Sequence, residues 1–151
     1  MQTPASPPTV MTSFKAAVAY FAIVLGTGFV FGTIRVPFLV PQLGERYAEL
    51  LEMPLMFVVI VMAARYVVRR FSLPPRTSIR LIVGFAALVL SVLAELLLAA
   101  TLQNVSVGQY IASRDPVSGS VYLIVLLLFA LMPYILTRFQ GLHAQGGKWQ
   151  A

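Results

Sequence analysis

Apolar residues in this chain neither alternate nor keep to one helical face; they run on. Four stretches, roughly residues 16–34, 51–64, 81–102 and 121–137, consist almost wholly of Val, Leu, Ile, Ala, Phe and other uncharged residues. Charged residues lie between or at the ends of these runs, except for Glu95, set inside the third. A helix that is apolar all round has no side to offer water, so it must be enclosed by protein or by lipid. At about 20 helical residues per crossing of a bilayer core of about 30 Å, four crossings with short connections use nearly the whole chain. The pattern predicts an all-α integral membrane protein, a four-helix bundle of up-down topology. Its single transmembrane domain spans residues 15–139, with helices at about 16–35, 45–69, 79–102 and 120–138. Residues 1–14 and 140–151, polar and rich in Pro or Gly, are expected to be flexible tails.

Composition agrees with that placement. The chain is 59% hydrophobic and 11% charged, against about 25% charged in soluble domains. It contains no cysteine, which excludes disulfides, thiolate metal sites and a thiol nucleophile. The net charge of +6 is gathered beside the apolar runs and not on a soluble face, so it argues for orientation in a membrane and against nucleic acid. With the N-terminus inside, Lys15, Arg65, Arg69, Arg70, Arg76, Arg80, Arg138 and Lys148 fall on the inner side, and only Arg35, Arg46 and Arg114 fall outside. That bias places both termini in the cytoplasm. The expected surroundings are the lipid bilayer, with anionic lipid at the cytoplasmic face.

Punctuation refines the helices. In the first, the Gly28 to Gly32 spacing is the small-xxx-small pattern that lets two helix backbones approach in lipid, so both glycines are expected in helix packing, within the chain or in a homo-oligomer. Pro37, Pro41 and Gly44 should end the helix and turn the chain at the outer surface. Pro54 and Pro133 should kink the second and fourth helices. Asn104-Val105-Ser106 matches a glycosylation pattern and is read as chance.

The acids are sorted as sharply as the bases. Glu45, Glu49, Glu52 and Asp115 fall outside, and none falls inside. Glu45, Glu49 and Glu52, spaced i, i+4 and i+7, share one helical face, with Arg46 as a neighbour of Glu49. Glu95 stands about 22 Å above Arg80, in the outer half of the bilayer, and Arg35 can reach down to the same depth. Ser91 lies one turn below Glu95 on a small, polar stripe with Gly84 and Ala87. A carboxylate in hydrocarbon must be paired, hydrated or protonated, so Arg35 is expected to meet Glu95 or Glu52. The candidate polar cluster is Arg35, Glu45, Arg46, Glu49, Glu52, Ser91 and Glu95. No catalytic set, metal cluster or phosphate loop is legible, and no cofactor is expected. The inner halves of the helices offer a polar solute no path through one protomer.

The segments GTIR (Gly32–Arg35), PQLGERYAELLEMPLM (Pro41–Met56), AE (Ala94, Glu95) and FALMP (Phe129–Pro133) together resemble a family of small four-helix bacterial inner-membrane proteins. The likeness covers about residues 20–135. It implies location and architecture but no activity. The stretch ERYAELLEMPL is also similar to the second-helix signature of the membrane glutathione-transferase and eicosanoid family. It departs in carrying leucine at Leu50 or Leu51 where that family has asparagine, and in a Glu-to-Pro spacing one residue shorter. Three functions follow, in order: a non-enzymatic accessory or interaction protein with a membrane-protein partner, an oligomeric transporter of a small solute or ion, and a glutathione-type enzyme.

Overall fold

The computed structural model describes residues 10–102, 107–112 and 115–146, and all regular structure among them is helical. Arg114, Lys148 and the Asn104–Ser106 triplet lie outside the described residues. In chain order the elements are α1 (Val10–Ile34), a π turn (Arg35–Leu39), α2 (Val40–Arg70), α3 (Thr77–Leu102), a short α4 (Val107–Ala112) and α5 (Pro116–Gly146). Three helical stretches are long and apolar enough to cross a membrane: Val10–Arg70, Thr77–Thr101 and Pro116–Phe139. Large apolar side chains cover the outside, among them Phe29, Leu97 and Leu123, each more than 60% exposed. Such a surface suits lipid, because helices bond nearly all of their own backbone groups.

The first stretch has 61 residues and would measure about 92 Å if straight. It is not straight. The break expected over residues 36–44 falls at the last residue of that segment and not at its prolines. Pro37 is absorbed by the π turn, whose wider ring accommodates a residue with no N–H to donate, and Pro41 sits in the first turn of α2, where a donor is not needed. The backbone reverses instead at Gly44 (φ 77°, ψ 161°), a conformation that a side chain would strain. Beyond it α2 returns along α1, and a methyl built at Gly28 would lie 3.4 Å from Met56 Cε.

Two boundaries differ from expectation. α1 begins at Val10, since no proline or glycine lies between Val10 and Lys15 to stop it. α5 continues to Gly146, past the expected end near residue 138, because Gly141 alone does not terminate it.

α1 packs on α2 and α3, and α5 packs on α2 and α3. Consecutive α2 and α3 are not neighbours: the Phe71–Arg76 connection crosses the bundle diagonal. The residue pairs that meet, Gly28 with Met56 and Glu95 with Tyr122, make α1/α2 and α3/α5 antiparallel hairpins. Below mid-height the core is dense and apolar, built on Ala16, Ala17, Tyr20, Ile60, Ala64, Val67, Val83, Ala87 and Phe129.

Pro133 organises the centre. It has no N–H for the carbonyl of Phe129, four residues earlier, and a bare carbonyl in a dry core is costly. Tyr20 fills the vacancy from across the bundle: its hydroxyl donates to Phe129 O at 2.9 Å, and the two rings stack at 4.5 Å. At the next residue of α5, Gly84 lies so close that a methyl there would overlap the Ala130 carbonyl oxygen. Within the chain, Gly84 makes this close backbone approach, while Gly28 is in ordinary contact with Met56 of α2. A Cβ at Gly32 would meet nothing within 4 Å.

The two ends are closed differently. At the α2–α3 end Arg80 is buried (2% exposed), and its guanidinium donates to the carbonyls of Leu73 and Pro74 and to Thr137 Oγ1, each at 3.2 Å. At the Gly44 end Asp115 caps α5: its Oδ2 accepts the N–H groups of Val117 and Ser118 at 3.0 Å, with Pro116 at the first helical position. Asp115 Oδ1 takes Arg46 Nε at 2.9 Å, so Arg46 pairs with Asp115 and not with Glu49.

The Arg46 hydrogen bond, and then that of the Ser118 amide, pull the Asp115 carboxyl down to about 2. A carboxyl that ionises more readily folded than unfolded stabilises the fold fully above about pH 4, and that contribution is lost as pH falls through about 2. Carboxyl NMR should place the Asp115 midpoint near 2 in the wild type and nearer 4 in Arg46→Gln. An unmoved midpoint in the variant would contradict this account.

Candidate functional site

Between the apolar core and the Gly44 end the helices diverge around a cavity of about 610 Å³. Its walls are mostly apolar, with Val24, Phe29, Met53, Met56, Leu98 and Val125 among them. Its floor is Ile60 and Phe129, the upper edge of the dense core. Polar groups gather from three helices and the π turn: Arg35, Glu49 and Glu52, then Ser91 and Glu95, then Tyr122.

Arg35 stands at the start of the π turn, and the reversal at Gly44 brings the first turns of α2 back beside it. Its Nη1 lies 3.1 Å from Glu52 Oε2 and 3.7 Å from Glu49 Oε1. The three side chains keep 23%, 15% and 11% of their exposure in that order, enough burial for the charges to matter to one another. The cluster is not saturated. Arg35 Nε donates no hydrogen bond, and Glu52 Oε2, though ion-paired, accepts none. A buried group in that state is unusual and calls for a partner.

Glu95 is held differently. Across the α3/α5 interface its carboxylate accepts the Tyr122 hydroxyl, and Ser91, one turn below, is buried at 5% exposure. Of the two contacts expected for Arg35, the one to Glu52 is present, with Glu49 added. Glu95 lines the same cavity as Arg35 but is bonded by Tyr122.

Not every expected member belongs. Glu45 is exposed at the head of α2 and does not line the cavity, because the stripe shared with Glu49 and Glu52 rises above the wall at that point. Arg46 is drawn outward to Asp115. Gly28 and Gly32 do line it, where the lack of a side chain leaves room. Tyr122 was missed by sequence reasoning: a tyrosine early in an apolar run reads as an interfacial residue, and only its height relative to Glu95 could have marked it.

Three carboxylates line the cavity with one guanidinium, which pairs with two of them, so the cavity favours a ligand that brings positive charge or hydrogen-bond donors. Among the described residues, no group of three Asp, Glu, His or Cys side chains is placed to hold a metal ion. Comparison with family models, with curated proteins and with solved structures found no match.

Proposed function

We propose that this chain is a bacterial inner-membrane protein that crosses the bilayer four times, with both termini cytoplasmic, and that it is a non-enzymatic accessory protein. Its outer-leaflet cavity receives an amphiphile whose head carries donors or positive charge, presented as a free molecule or by a partner membrane protein. The observation that carries this reading is the cavity itself. Its volume of about 610 Å³ falls within the range of small-molecule sites, and it joins apolar walls to a few convergent polar groups at one end. Support for four crossings comes from the reversal at Gly44, which divides a 61-residue stretch into two antiparallel arms. The sorting of basic residues supports the orientation.

The stacked Tyr20 and Phe129 rings and the apolar core beneath them weigh against passage of a solute through one copy. A transporter would need a path between copies.

The test is mass spectrometry of the protein released from mild detergent. The wild type is expected to carry a bound small mass that is lost in Gly28→Leu, which fills the cavity and leaves every charge in place, and weakened in Glu52→Gln. An empty wild type, or equal retention in both variants, would defeat the proposal.

Arg35→Met should also destabilise the protein by about 3 kcal/mol, the low end of the range for stranded buried charge, because Arg35 keeps 23% exposure. Adding Glu49→Gln and Glu52→Gln should restore most of the loss. Thermal unfolding of the single and triple variants measures both. A triple variant no more stable than Arg35→Met would show that the pairing does not set the cost.

A further inference from the structure

A second binding site is visible at the opposite end of the molecule. We infer that the groove between α2 and α5 near the Arg80 end binds one anionic phospholipid, phosphate on Arg65 and Arg69 and an acyl chain along the apolar walls toward Phe57. The inference depends on the membrane placement above but not on the ligand of the Gly44-end cavity.

The groove has a volume of about 710 Å³. Along α2 its wall is a single ladder at four-residue spacing: Phe57, Val61, Arg65, Arg69. The ladder changes from apolar to basic at its third rung. The facing wall on α5 is apolar throughout, with Leu128 and Met132 opposite the apolar rungs. One end therefore suits hydrocarbon and the other suits phosphate, in the order in which a phospholipid presents them at a membrane surface.

Charge selects the class of lipid. Arg65 and Arg69 are exposed, and no hydrogen bond or ion pair engages either guanidinium among the described residues. Of the other cations near this end, Arg70 shares a neighbouring groove with Arg65 and Arg69 but does not line the one between α2 and α5. Arg80 is spent on the carbonyls of Leu73 and Pro74, Arg138 Nε donates to Tyr134 Oη at 3.3 Å, and Arg76 stands in the connection between α2 and α3. All five acids of the chain, Glu45, Glu49, Glu52, Glu95 and Asp115, belong to the other half of the bundle. Nothing at the groove competes with a phosphate for these two arginines. Guanidinium is the side chain best matched to it, being planar, permanently charged and able to donate two parallel hydrogen bonds. A loosely held annular lipid would use the apolar walls alone and show no preference for head-group charge.

The test is lipid competition read by native mass spectrometry of the full chain. Anionic phosphatidylglycerol and zwitterionic phosphatidylcholine of identical acyl chains are offered together at equal concentration. With each basic residue worth about 1 kcal/mol at an anionic lipid, two predict roughly thirtyfold selectivity for the anionic lipid in the wild type. Arg65→Gln/Arg69→Gln should bring the ratio close to one, while Arg76→Gln, outside the groove, should leave it high. Lack of selectivity in the wild type overturns the proposal even if the double variant fails to fold. Equal loss in Arg76→Gln and in the double variant also overturns it, because the preference would then belong to the whole basic face.

Discussion

Gly84→Ala is expected to lower stability by about 3 kcal/mol, the upper part of the range for overpacking, although it adds one methyl to a helix where alanine is ordinarily the better residue. The added carbon would overlap the Ala130 carbonyl oxygen, which is backbone and cannot rotate aside as a long side chain could. Relief requires α3 to withdraw from α5, and that would loosen the Glu95–Tyr122 contact higher on the same pair. Gly26→Ala and Gly32→Ala supply the contrast. A Cβ at either meets nothing within 4 Å, so each should be neutral or gain up to about 1 kcal/mol from reduced backbone freedom. Thermal unfolding of the three variants in one detergent decides the matter. If Gly84→Ala melted with Gly32→Ala, the close approach of α3 and α5 would be refuted.

The second large effect is a dependence of one residue on another across the bundle. Tyr20→Phe removes only a hydroxyl, yet it strands the Phe129 carbonyl in the core, at a cost of about 1–3 kcal/mol. In a Pro133→Ala background residue 133 regains an N–H within its own helix, directed at that carbonyl. There, Tyr20→Phe should cost little. A double-mutant cycle isolates this coupling from whatever Pro133→Ala does by removing a buried ring. Equal costs for Tyr20→Phe in the two backgrounds would disprove the compensation.

Much of the architecture is legible in the letters because a long uncharged run is most simply accommodated as a helix, which satisfies its backbone within itself. Details that depend on competition between local signals are less so. Two prolines in nine residues read as the end of a helix, but one can be absorbed by a wide turn and the other by a helix start, which leaves the reversal to Gly44. Glycine spacing marks where helices can come close without saying which glycine does so. Gly28 and Gly32 match the familiar spacing and border the cavity, Gly28 also touching Met56, whereas Gly84, with no such partner in sequence, makes the backbone contact.

The candidate site divides along the same line. The Arg35 to Glu52 contact follows from helical rise, which sets the two residues at one level. The Arg46 to Asp115 and Glu95 to Tyr122 contacts join residues 69 and 27 positions apart, and each requires knowing which helices are neighbours. That knowledge was hidden by the diagonal crossing between α2 and α3. A chain of alternating directions invites the assumption that each helix lies beside the next, and here one pair does not.

The same crossing has an assembly consequence. α1 with α2, and α3 with α5, form two halves, each with its own polar latch, Arg35 on Glu49 and Glu52 in one and Glu95 on Tyr122 in the other, while Tyr20 on Phe129 and Arg46 on Asp115 tie the halves together. The cavity is walled by both halves, so it comes into being only where they dock. Whatever settles there bridges the seam, and so acts as a fastener between two parts of one polypeptide.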